Sequence, residues 1–402
     1  MRVLIADKFQ ESGLDALRRL GCKVELRPDA AADDLPGLLR ETDPDVLVVR
    51  STRVSGDAVA ASGRLGLVLR AGAGYDTIDV DAASARGVSV ANCPGKNSIA
   101  VAELAWGLLL ACDRRIPEQA QLLRENKWAK KEYSKARGLY GRTLGVVGLG
   151  RIGLEVARRG KAFGMEIIAW SRSLTVERAA LLDVTMAADP LEIAKHADVV
   201  SVHVAANPST EHLIGEDFCA ALRPGAIFVN TTRGSVVDER ALARAIEEKG
   251  VRAGLDVYAS EPGASDRASD IPLAKLPGVV GTHHIGASTD QAQDAIASEA
   301  VRVIAEYKRT GSAPNVVNRE TTTRATRVLS VRHLNKPGVL AHIVGEIGRA
   351  GVNIEQMENV IYAGAAAACA RIELDEHLAD EVLAAINDSS RHILSVDLTV
   401  IE

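Results

Sequence analysis

Hydrophobic residues recur along the first three quarters of the chain as short apolar runs with helical stretches between them. The first series of runs lies at 3–6, 46–49, 67–70 and 88–91. The second series lies at 143–147, 166–170, 199–202, 226–229, 253–256 and 279–282. Short apolar runs that alternate with helices are typical of parallel sheets covered by helices on both faces. The pattern therefore predicts two doubly wound α/β domains.

Helical patterns connect these two series and follow the second. One long helix is predicted at about 98–125, and another at about 289–308, from which the chain can return to the first domain. The polar, threonine-rich segment 316–326 is typical of a linker.

The tail after residue 325 has a pattern of its own. It predicts a strand at 327–332, a helix at 337–350 with Pro337 in its first turn, strands at 354–362 and 366–374, a helix at 376–387 and a strand at 394–401. This order, βαββαβ, is that of a ferredoxin-like module. A unit of this size suits ligand sensing or subunit pairing better than catalysis.

Composition mainly excludes certain partners, targeting segments and metal sites. The formal net charge of −5 argues against nucleic acid or an anionic membrane surface as a partner. No apolar stretch predicts a signal peptide or a membrane-spanning helix. The five cysteines are scattered without paired metal-ligand spacing, so we expect free thiols, no metal site and a cytoplasmic protein.

A glycine-rich loop follows the run at 143–147 and opens a helical stretch. Gly148, Gly150 and Gly153 allow a tight turn, the approach of a pyrophosphate to the backbone, and close packing of the helix on the strand. Arg151 and Ile152 lie where free N–H groups and the positive helix end favour that pyrophosphate. The loop predicts dinucleotide binding in a Rossmann-like domain.

The residues after the second strand of this domain leave the choice of dinucleotide open. An NAD site usually has an acidic residue here, which holds the ribose 2′-hydroxyl. This chain has Ser171 and Arg172 instead. Serine does not repel a 2′-phosphate and Arg172 can attract one, unless it stacks on the adenine or faces solvent. We expect NAD as cofactor, with NADP as an open alternative.

Three further residues suit one reaction. Arg233 lies in Asn-Thr-Thr-Arg-Gly, Glu261 precedes a proline, and His284 follows a second imidazole, His283. A guanidinium grips a carboxylate through its planar fork and polarises the adjacent carbonyl. An imidazole exchanges the hydroxyl proton, while a carboxylate orients it and raises its proton affinity. The set predicts hydride transfer at the 2-carbon of a hydroxy acid.

Over essentially the whole chain these motifs resemble the D-isomer-specific 2-hydroxyacid dehydrogenases. The resemblance implies a discontinuous outer, substrate-binding domain around an inserted dinucleotide-binding domain, then a linker and a regulatory ACT domain. The ranges are 1–98 and 287–316 for the outer domain, 99–286 for the inserted domain, 317–325 for the linker and 326–402 for the ACT domain.

The resemblance also implies roles for individual residues. Arg233 is the expected carboxylate anchor, His284 the acid/base and Glu261 its partner, whereas His283 is expected to be structural or to lie at the rim of the site. Further cofactor contacts are expected from three residues, of which the last holds the nicotinamide carboxamide: Thr231, Thr232 and Asp256.

Substrate contacts are expected mainly from the outer domain. The backbone N–H groups of the loop Gly72-Ala73-Gly74 are expected to meet the substrate carboxylate, and Asn97 resembles a substrate-side asparagine, with an N-cap as its alternative role. Arg50 and Arg53 follow a strand end, where they can meet a phosphate. Lys130 resembles a lysine that reaches a neighbouring subunit's site. The alternative for these three cations is a solvated face.

In the tail, the resemblance implies that His333, Asn335 and Asn353 bind L-serine as an effector at a pair of such modules. The alternative is a module that only pairs subunits. A homo-oligomer, dimer or tetramer, is expected in either case.

The expected function is NAD(P)-dependent oxidation of 3-phospho-D-glycerate to 3-phosphooxypyruvate, the first step of L-serine biosynthesis, under control by serine. Two alternatives stay open. One is a hydroxypyruvate or glyoxylate reductase that uses NADPH. The other is a non-catalytic, dinucleotide-sensing interaction protein.

Overall fold

The first series of apolar runs forms a five-stranded parallel sheet in the computed structural model, which describes residues 1–262, 270–388 and 391–401. Its strands are Arg2–Ile5 (β1), Lys23–Leu26 (β2), Val46–Val49 (β3), Leu67–Arg70 (β4) and Ser89–Asn92 (β5). The spatial order is β2-β1-β3-β4-β5. Helices between the strands are Glu11–Arg19 (α1), Leu35–Thr42 (α2), Gly56–Ala60 (α3) and Val80–Ala85 (α4).

The second series forms a seven-stranded parallel sheet. Its strands are Thr143–Val147 (β6), Glu166–Trp170 (β7), Thr185–Met186 (β8), Val199–Val202 (β9), Ile227–Asn230 (β10), Arg252–Leu255 (β11) and Val279–Gly281 (β12). The order β12-β11-β10-β9-β6-β7-β8 reverses beside β6, where the glycine-rich loop begins. In doubly wound sheets, ligands bind at such a reversal, at the carboxyl ends of the strands. The prediction of two Rossmann-like parallel sheets is confirmed.

Helices cover the second sheet and lead into it from the first. They are Ser98–Arg114 (α5), Ile116–Arg124 (α6), Lys130–Tyr133 (α7), Arg151–Ala162 (α8), Val176–Leu182 (α9), Pro190–His196 (α10), Glu216–Ala221 (α11) and Glu239–Lys249 (α12). The prediction of one continuous helix over 98–125 is wrong. Arg115 takes a left-handed conformation (φ +51°) between α5 and α6. Pro117, in the first turn of α6, supplies no backbone N–H to continue the first helix.

The chain then returns to the first sheet. Helix Asp290–Thr310 (α13) buries Ile296, Ala300, Val303 and Ile304 in the same core as β1 and β3. Beyond it, the segment Val316–Asn318 pairs with β5 through Val317, whose N–H donates to the Val90 carbonyl at 2.8 Å. The compact unit extends to Asn318, two residues into the linker expected at 317–325.

Arg319–Glu402 is a second compact unit, in which the βαββαβ order is confirmed. Its elements are Arg327–Leu334 (β13), Val339–Arg349 (α14), Ile354–Ile361 (β14), Ala367–Leu374 (β15), Asp380–Asp388 (α15) and Ile393–Val400 (β16). The sheet is antiparallel with the order β14-β15-β13-β16. Pro337 lies outside α14, because Gly338 takes a left-handed conformation (φ +88°) and ends the preceding loop there.

Within the described ranges, every helix is too short or too polar to cross a bilayer. Four of the five thiols are buried and Cys369 is partly exposed; all five are free.

Candidate functional site

The predicted imidazole and carboxylate form a pair. The Nδ1 atom of His284 lies 2.7 Å from Oε2 of Glu261, and the two side chains are 42% and 32% exposed. A carboxylate only accepts hydrogen bonds, so Nδ1 carries the proton and Nε2 keeps its lone pair. Burial alone would raise the pKa of Glu261, but the hydrogen bonds that its carboxylate accepts from His284 and from the Tyr258 N–H, together with the nearby charge of Arg233, hold that pKa below its usual value. The pair is poised to accept a proton at Nε2.

The loop that carries His284 is held by a buried carboxylate, Asp256. One oxygen of Asp256 accepts hydrogen bonds from the Thr282 hydroxyl at 2.6 Å and the Ile285 N–H at 2.9 Å, and the other accepts one from the Gly286 N–H at 2.9 Å. His284 itself has φ +53°, a left-handed conformation that is costly for a residue with a side chain. Asp256 therefore fixes an unfavourable turn, and this orients the imidazole.

Arg233 is positioned from both sides of the interface between the two sheets. On its own side, the Asn230 side chain at the end of β10 binds the Thr232 N–H at 3.0 Å and the Arg233 carbonyl at 3.0 Å. On the other side, Asp76 accepts hydrogen bonds from Nε at 3.1 Å and Nη2 at 3.0 Å. Nη1 donates to the Thr232 carbonyl at 2.7 Å. The sequence predicts a role for neither Asn230 nor Asp76. The position of Asp76, two residues after the glycine loop 72–74, is the one sequence feature that could have indicated its role.

Electrostatics connect Arg233 with both carboxylates. Its charge contributes to the lowered pKa of Glu261. Burial would raise the pKa of Asp76, but the hydrogen bond and charge of Arg233 hold it below its usual value. The structure thus brings together the three residues predicted from separate parts of the sequence.

The loop Gly72–Gly74 lies between two arginines. A Cβ atom on Gly72 would lie 1.4 Å from Nη1 of Arg70, and one on Gly74 would lie 2.2 Å from Nη2 of Arg233, so a side chain at either place would have to displace one of these guanidinium groups. Burial lowers the pKa of Arg70 to about 10, helped by the nearby charge of Arg233. Nε of Arg70 is buried without a partner among the described residues. Arg50, one strand away, is also partly desolvated, and burial lowers its pKa. Arg70 was not predicted.

The glycine-rich loop fits a dinucleotide. A Cβ on Gly153 would lie 2.1 Å from the Gly148 carbonyl oxygen, which shows how closely α8 packs on the loop, whereas one on Gly150 would meet nothing within 4 Å. The middle of the loop is therefore open to a pyrophosphate. The side chain of Arg151 donates to the carbonyl of Pro94, on the first-sheet side, at 2.5 Å. Thr231 has a buried hydroxyl without a partner among the described residues, which a cofactor would supply.

The remaining predicted cofactor residues lie at the ends of neighbouring elements of the second sheet. Ile152 follows Arg151 in the first turn of α8 and is partly buried, and Thr232 lies in the turn before Arg233. Ser171 is partly exposed and Arg172 is exposed directly after β7. No acidic residue occupies the end of β7.

Four other residues that the sequence singles out differ in how they are placed relative to the site. Asn97 precedes α5 but its side chain does not cap the helix, and its Oδ1 is buried without a partner in the described chain. Arg53 and Lys130 are exposed, and no contact of theirs within the described residues joins them to the site. His283 is also exposed. Asn97 is thus available to a ligand, whereas Arg53 and Lys130 are not assembled into the site of a single chain.

In the second unit, the three predicted effector residues are engaged within the module. His333 is 1% exposed, with Nδ1 at 2.9 Å from the Leu334 carbonyl and Nε2 at 3.1 Å from Oδ1 of Asn359. Asn335 donates to the Ala365 carbonyl at 3.1 Å, and Asn353 donates to Glu355 at 3.0 Å. His333 is therefore closed to solvent in this chain, and only the two asparagines are near the surface.

A glycine-rich loop at the switch point of a doubly wound sheet, beside an imidazole–carboxylate pair and an arginine fork, defines a dinucleotide-dependent dehydrogenase. Residues 106–286 match the sequence model of the D-isomer specific 2-hydroxyacid dehydrogenase NAD binding domain. The hydroxypyruvate reductase of Thermotoga maritima is 42% identical over 279 residues, 68% of this chain and 87% of that protein. The chain belongs to the D-isomer specific 2-hydroxyacid dehydrogenase family.

Two further similarities bear on substrate and cofactor. The D-3-phosphoglycerate dehydrogenase of Methanocaldococcus jannaschii is 41% identical over 320 residues, 79% of this chain. The chain spans 59% of the length of that relative. The solved structure of an NADPH-dependent glyoxylate/hydroxypyruvate reductase from Sinorhizobium meliloti, in complex with NADP and malonate, superposes with a TM-score of 0.68 at 30% identity, over 80% of this chain and 99% of that one.

Proposed function

We propose that this chain oxidises 3-phospho-D-glycerate to 3-phosphooxypyruvate with NAD(P), as the first step of L-serine biosynthesis. The observation that carries the proposal is the grouping of Arg233 with the His284–Glu261 pair, next to two further arginines, Arg50 and Arg70. The first group suits any 2-hydroxy acid. The two extra cations suit a second anionic group on the substrate, which a phosphate provides.

Arg233 has the donors for a substrate carboxylate while it stays bound to Asp76. A guanidinium has five N–H groups. Asp76 takes one from Nε and one from Nη2, and the Thr232 carbonyl takes one from Nη1. One N–H remains on each terminal nitrogen, which is the pair that a carboxylate binds in a bidentate way. Asp76 therefore fixes the plane of the fork without filling it.

His284 performs the proton transfer in this proposal. Its Nε2 takes the proton of the C2 hydroxyl as the C–O bond gains double-bond character, and Glu261 stabilises the imidazolium through the Nδ1–H bond. A bound nicotinamide would supply the acceptor for the hydride that leaves C2. Asn97 helps to hold the substrate in this proposal, because its Oδ1 has no partner in the described chain and its side chain does not cap α5.

The test compares two substrates that differ only in the phosphate. Purified protein with NAD or NADP should oxidise 3-phospho-D-glycerate with a kcat/KM at least tenfold above that for D-glycerate. Arg70→Gln should remove most of this preference, while Arg86→Gln, which changes an exposed arginine at the end of helix α4, should keep it. No turnover of phosphoglycerate, together with rapid reduction of hydroxypyruvate, would refute the proposal.

That last outcome would support the second candidate, a hydroxypyruvate or glyoxylate reductase that uses NADPH. Arg172, exposed after β7 where an acidic residue would exclude a 2′-phosphate, is the observation that favours it. If the protein turns over neither phosphoglycerate nor hydroxypyruvate, the remaining candidate is a non-catalytic, dinucleotide-sensing interaction protein.

For the second unit we propose the role of an ACT domain that binds L-serine and pairs subunits of a homo-oligomer. Asn335 and Asn353 lie near the surface and supply the amides that an amino acid needs, whereas the buried His333 would act through the strand that it holds. Inhibition of turnover by L-serine that Asn353→Ala abolishes would support this role. Turnover that millimolar serine leaves unchanged would reduce the module to a pairing device.

A further inference from the structure

Two carbonyl groups of the loop Gly72–Gly74, those of Gly72 and Ala73, face the end of strand β5. The Gly72 carbonyl accepts a hydrogen bond from the Cys93 N–H at 2.8 Å. The Ala73 carbonyl accepts one from the side-chain amide of Asn92 at 2.6 Å. Asn92 is 7% exposed, so its amide is committed to this contact rather than to solvent.

These two bonds determine where the N–H groups of the loop point. A peptide unit is planar and, in the described chain, always trans, so each N–H points opposite to the carbonyl of the same unit. The N–H groups of Ala73 and Gly74 therefore both point away from β5. Neither has a hydrogen-bond partner among the described residues. Two successive free N–H groups that point the same way form a concave anion site, and Gly74 lies against Arg233.

Asn92 is itself held by a second layer. Its carbonyl accepts a hydrogen bond from the side chain of Asn315 at 3.2 Å, and its N–H donates to the Asn315 carbonyl at 3.4 Å. The same Asn315 amide donates to Glu299 of α13 at 2.8 Å. The end of β5 is thus fixed by residues from the returning part of the chain.

We propose that Asn92 is a positioning residue for the substrate carboxylate, because its amide sets the plane of the Ala73–Gly74 peptide and so aims the Gly74 N–H beside the Arg233 fork. Asn315 supports it from behind. This inference rests on the proposed function for the identity of the anion, but not on which hydroxy acid is turned over.

The test uses a matched pair of substitutions at strand β5, one at Asn92 on the strand and one at Asn318 in the segment that pairs with it. Asn92→Asp keeps the shape of the side chain and removes the donor to the Ala73 carbonyl. Asn318→Asp likewise removes an amide that donates to a backbone carbonyl near β5, that of Val88 at 2.9 Å, but does not reach the loop. Both variants lose a similar contact, and only one of them should affect the anion site.

Oxalate is the probe, titrated calorimetrically into the complex of each protein with NADH. Asn92→Asp should weaken oxalate binding by about tenfold, which corresponds to about 1.4 kcal/mol, and leave NADH binding within about twofold. Asn318→Asp should change neither. Equal weakening in both variants, or an unchanged affinity in Asn92→Asp, would overturn the inference, as would a wild-type protein that binds no oxalate.

A second variant covers the case in which Asn92→Asp does not fold. Asn315→Gly removes the supporting amide and suits the left-handed backbone at that residue (φ +60°). It should weaken oxalate binding several-fold, and an unchanged affinity would again overturn the inference. Because oxalate binding needs no turnover, the result separates this inference from the proposed reaction: a chain that fails to oxidise phosphoglycerate can still show it.

Discussion

Glu299→Gln should destabilise the first compact unit, and the loss should shrink at low pH. Glu299 is 8% exposed and accepts hydrogen bonds from Arg302 at 2.6 and 3.1 Å and from Asn315 at 2.8 Å, with Lys96 at 3.4 Å. The hydrogen bond from Arg302 leads the causes that lower the pKa of Glu299 from 4.5 to about 2, against the opposing effect of burial.

The interval from 4.5 to about 2 sets the magnitude. At about 1.36 kcal/mol per pH unit it gives a ceiling of about 3.4 kcal/mol at neutral pH. The Arg302 and Lys96 side chains are 55% and 41% exposed, and solvent screens their charges, so we expect about 1–2 kcal/mol. A lowered pKa in the folded state stabilises the protein above pH 4.5, and this stabilisation is lost as the pH falls towards 2. At pH 3 less than half of it should remain.

The assay is urea unfolding followed by tryptophan fluorescence at pH 7 and pH 3. All three tryptophans, Trp106, Trp128 and Trp170, lie in the first unit, so the signal reports on that unit alone. Glu306→Gln is the matched control, because Glu306 also pairs with an arginine three residues on, Arg309, but on an exposed face of α13. It should cost less than about 0.5 kcal/mol. A Glu299→Gln cost equal to the control, or one that does not fall at pH 3, would refute the reasoning.

Three other predictions concern the candidate site. His284→Gln should lower kcat by about 10²–10⁴-fold in a NADH absorbance assay while His283→Gln stays within about threefold, and the opposite ranking would assign the proton transfer to His283. Arg233→Lys keeps the charge but loses the planar fork, so the KM for the hydroxy acid should rise about tenfold. An unchanged KM would show that the fork is not used. Arg172→Asp should lower kcat/KM with NADP at least tenfold relative to NAD, and equal effects on both cofactors would place Arg172 outside the ribose site.

The sequence predicts the elements that bury a complete apolar run and misses those that do not. Val46–Val49 is buried along its whole length and was predicted to the residue. Lys23–Leu26 was missed, because it is an edge strand in which no side chain is fully buried. Thr185–Met186 is only two exposed residues long. The break at Arg115 depends on one backbone conformation, which the apolar pattern of α5 and α6 does not record.

For the site, the sequence predicts which residue types are needed but not which partners hold them. Arg233, Glu261 and His284 stand in short contexts that fit their chemistry, and the structure brings them together. Asp76 and Asn92 act through contacts with residues more than a hundred positions away or across a loop, and an isolated aspartate or asparagine near a glycine has many other roles. Such contacts require the tertiary fold.

The return of the chain to the first sheet has a consequence for the order of folding during synthesis. The core around β1 and β3 includes side chains of α13, and β5 is completed by Val316–Asn318, which begins 224 residues after the end of β5. At about 5–20 residues per second, the ribosome takes roughly 10–40 s to deliver them. The inserted sheet, by contrast, is nearly continuous in sequence. We therefore expect the inserted sheet to fold first, while the first sheet, although synthesised earlier, waits for its last helix.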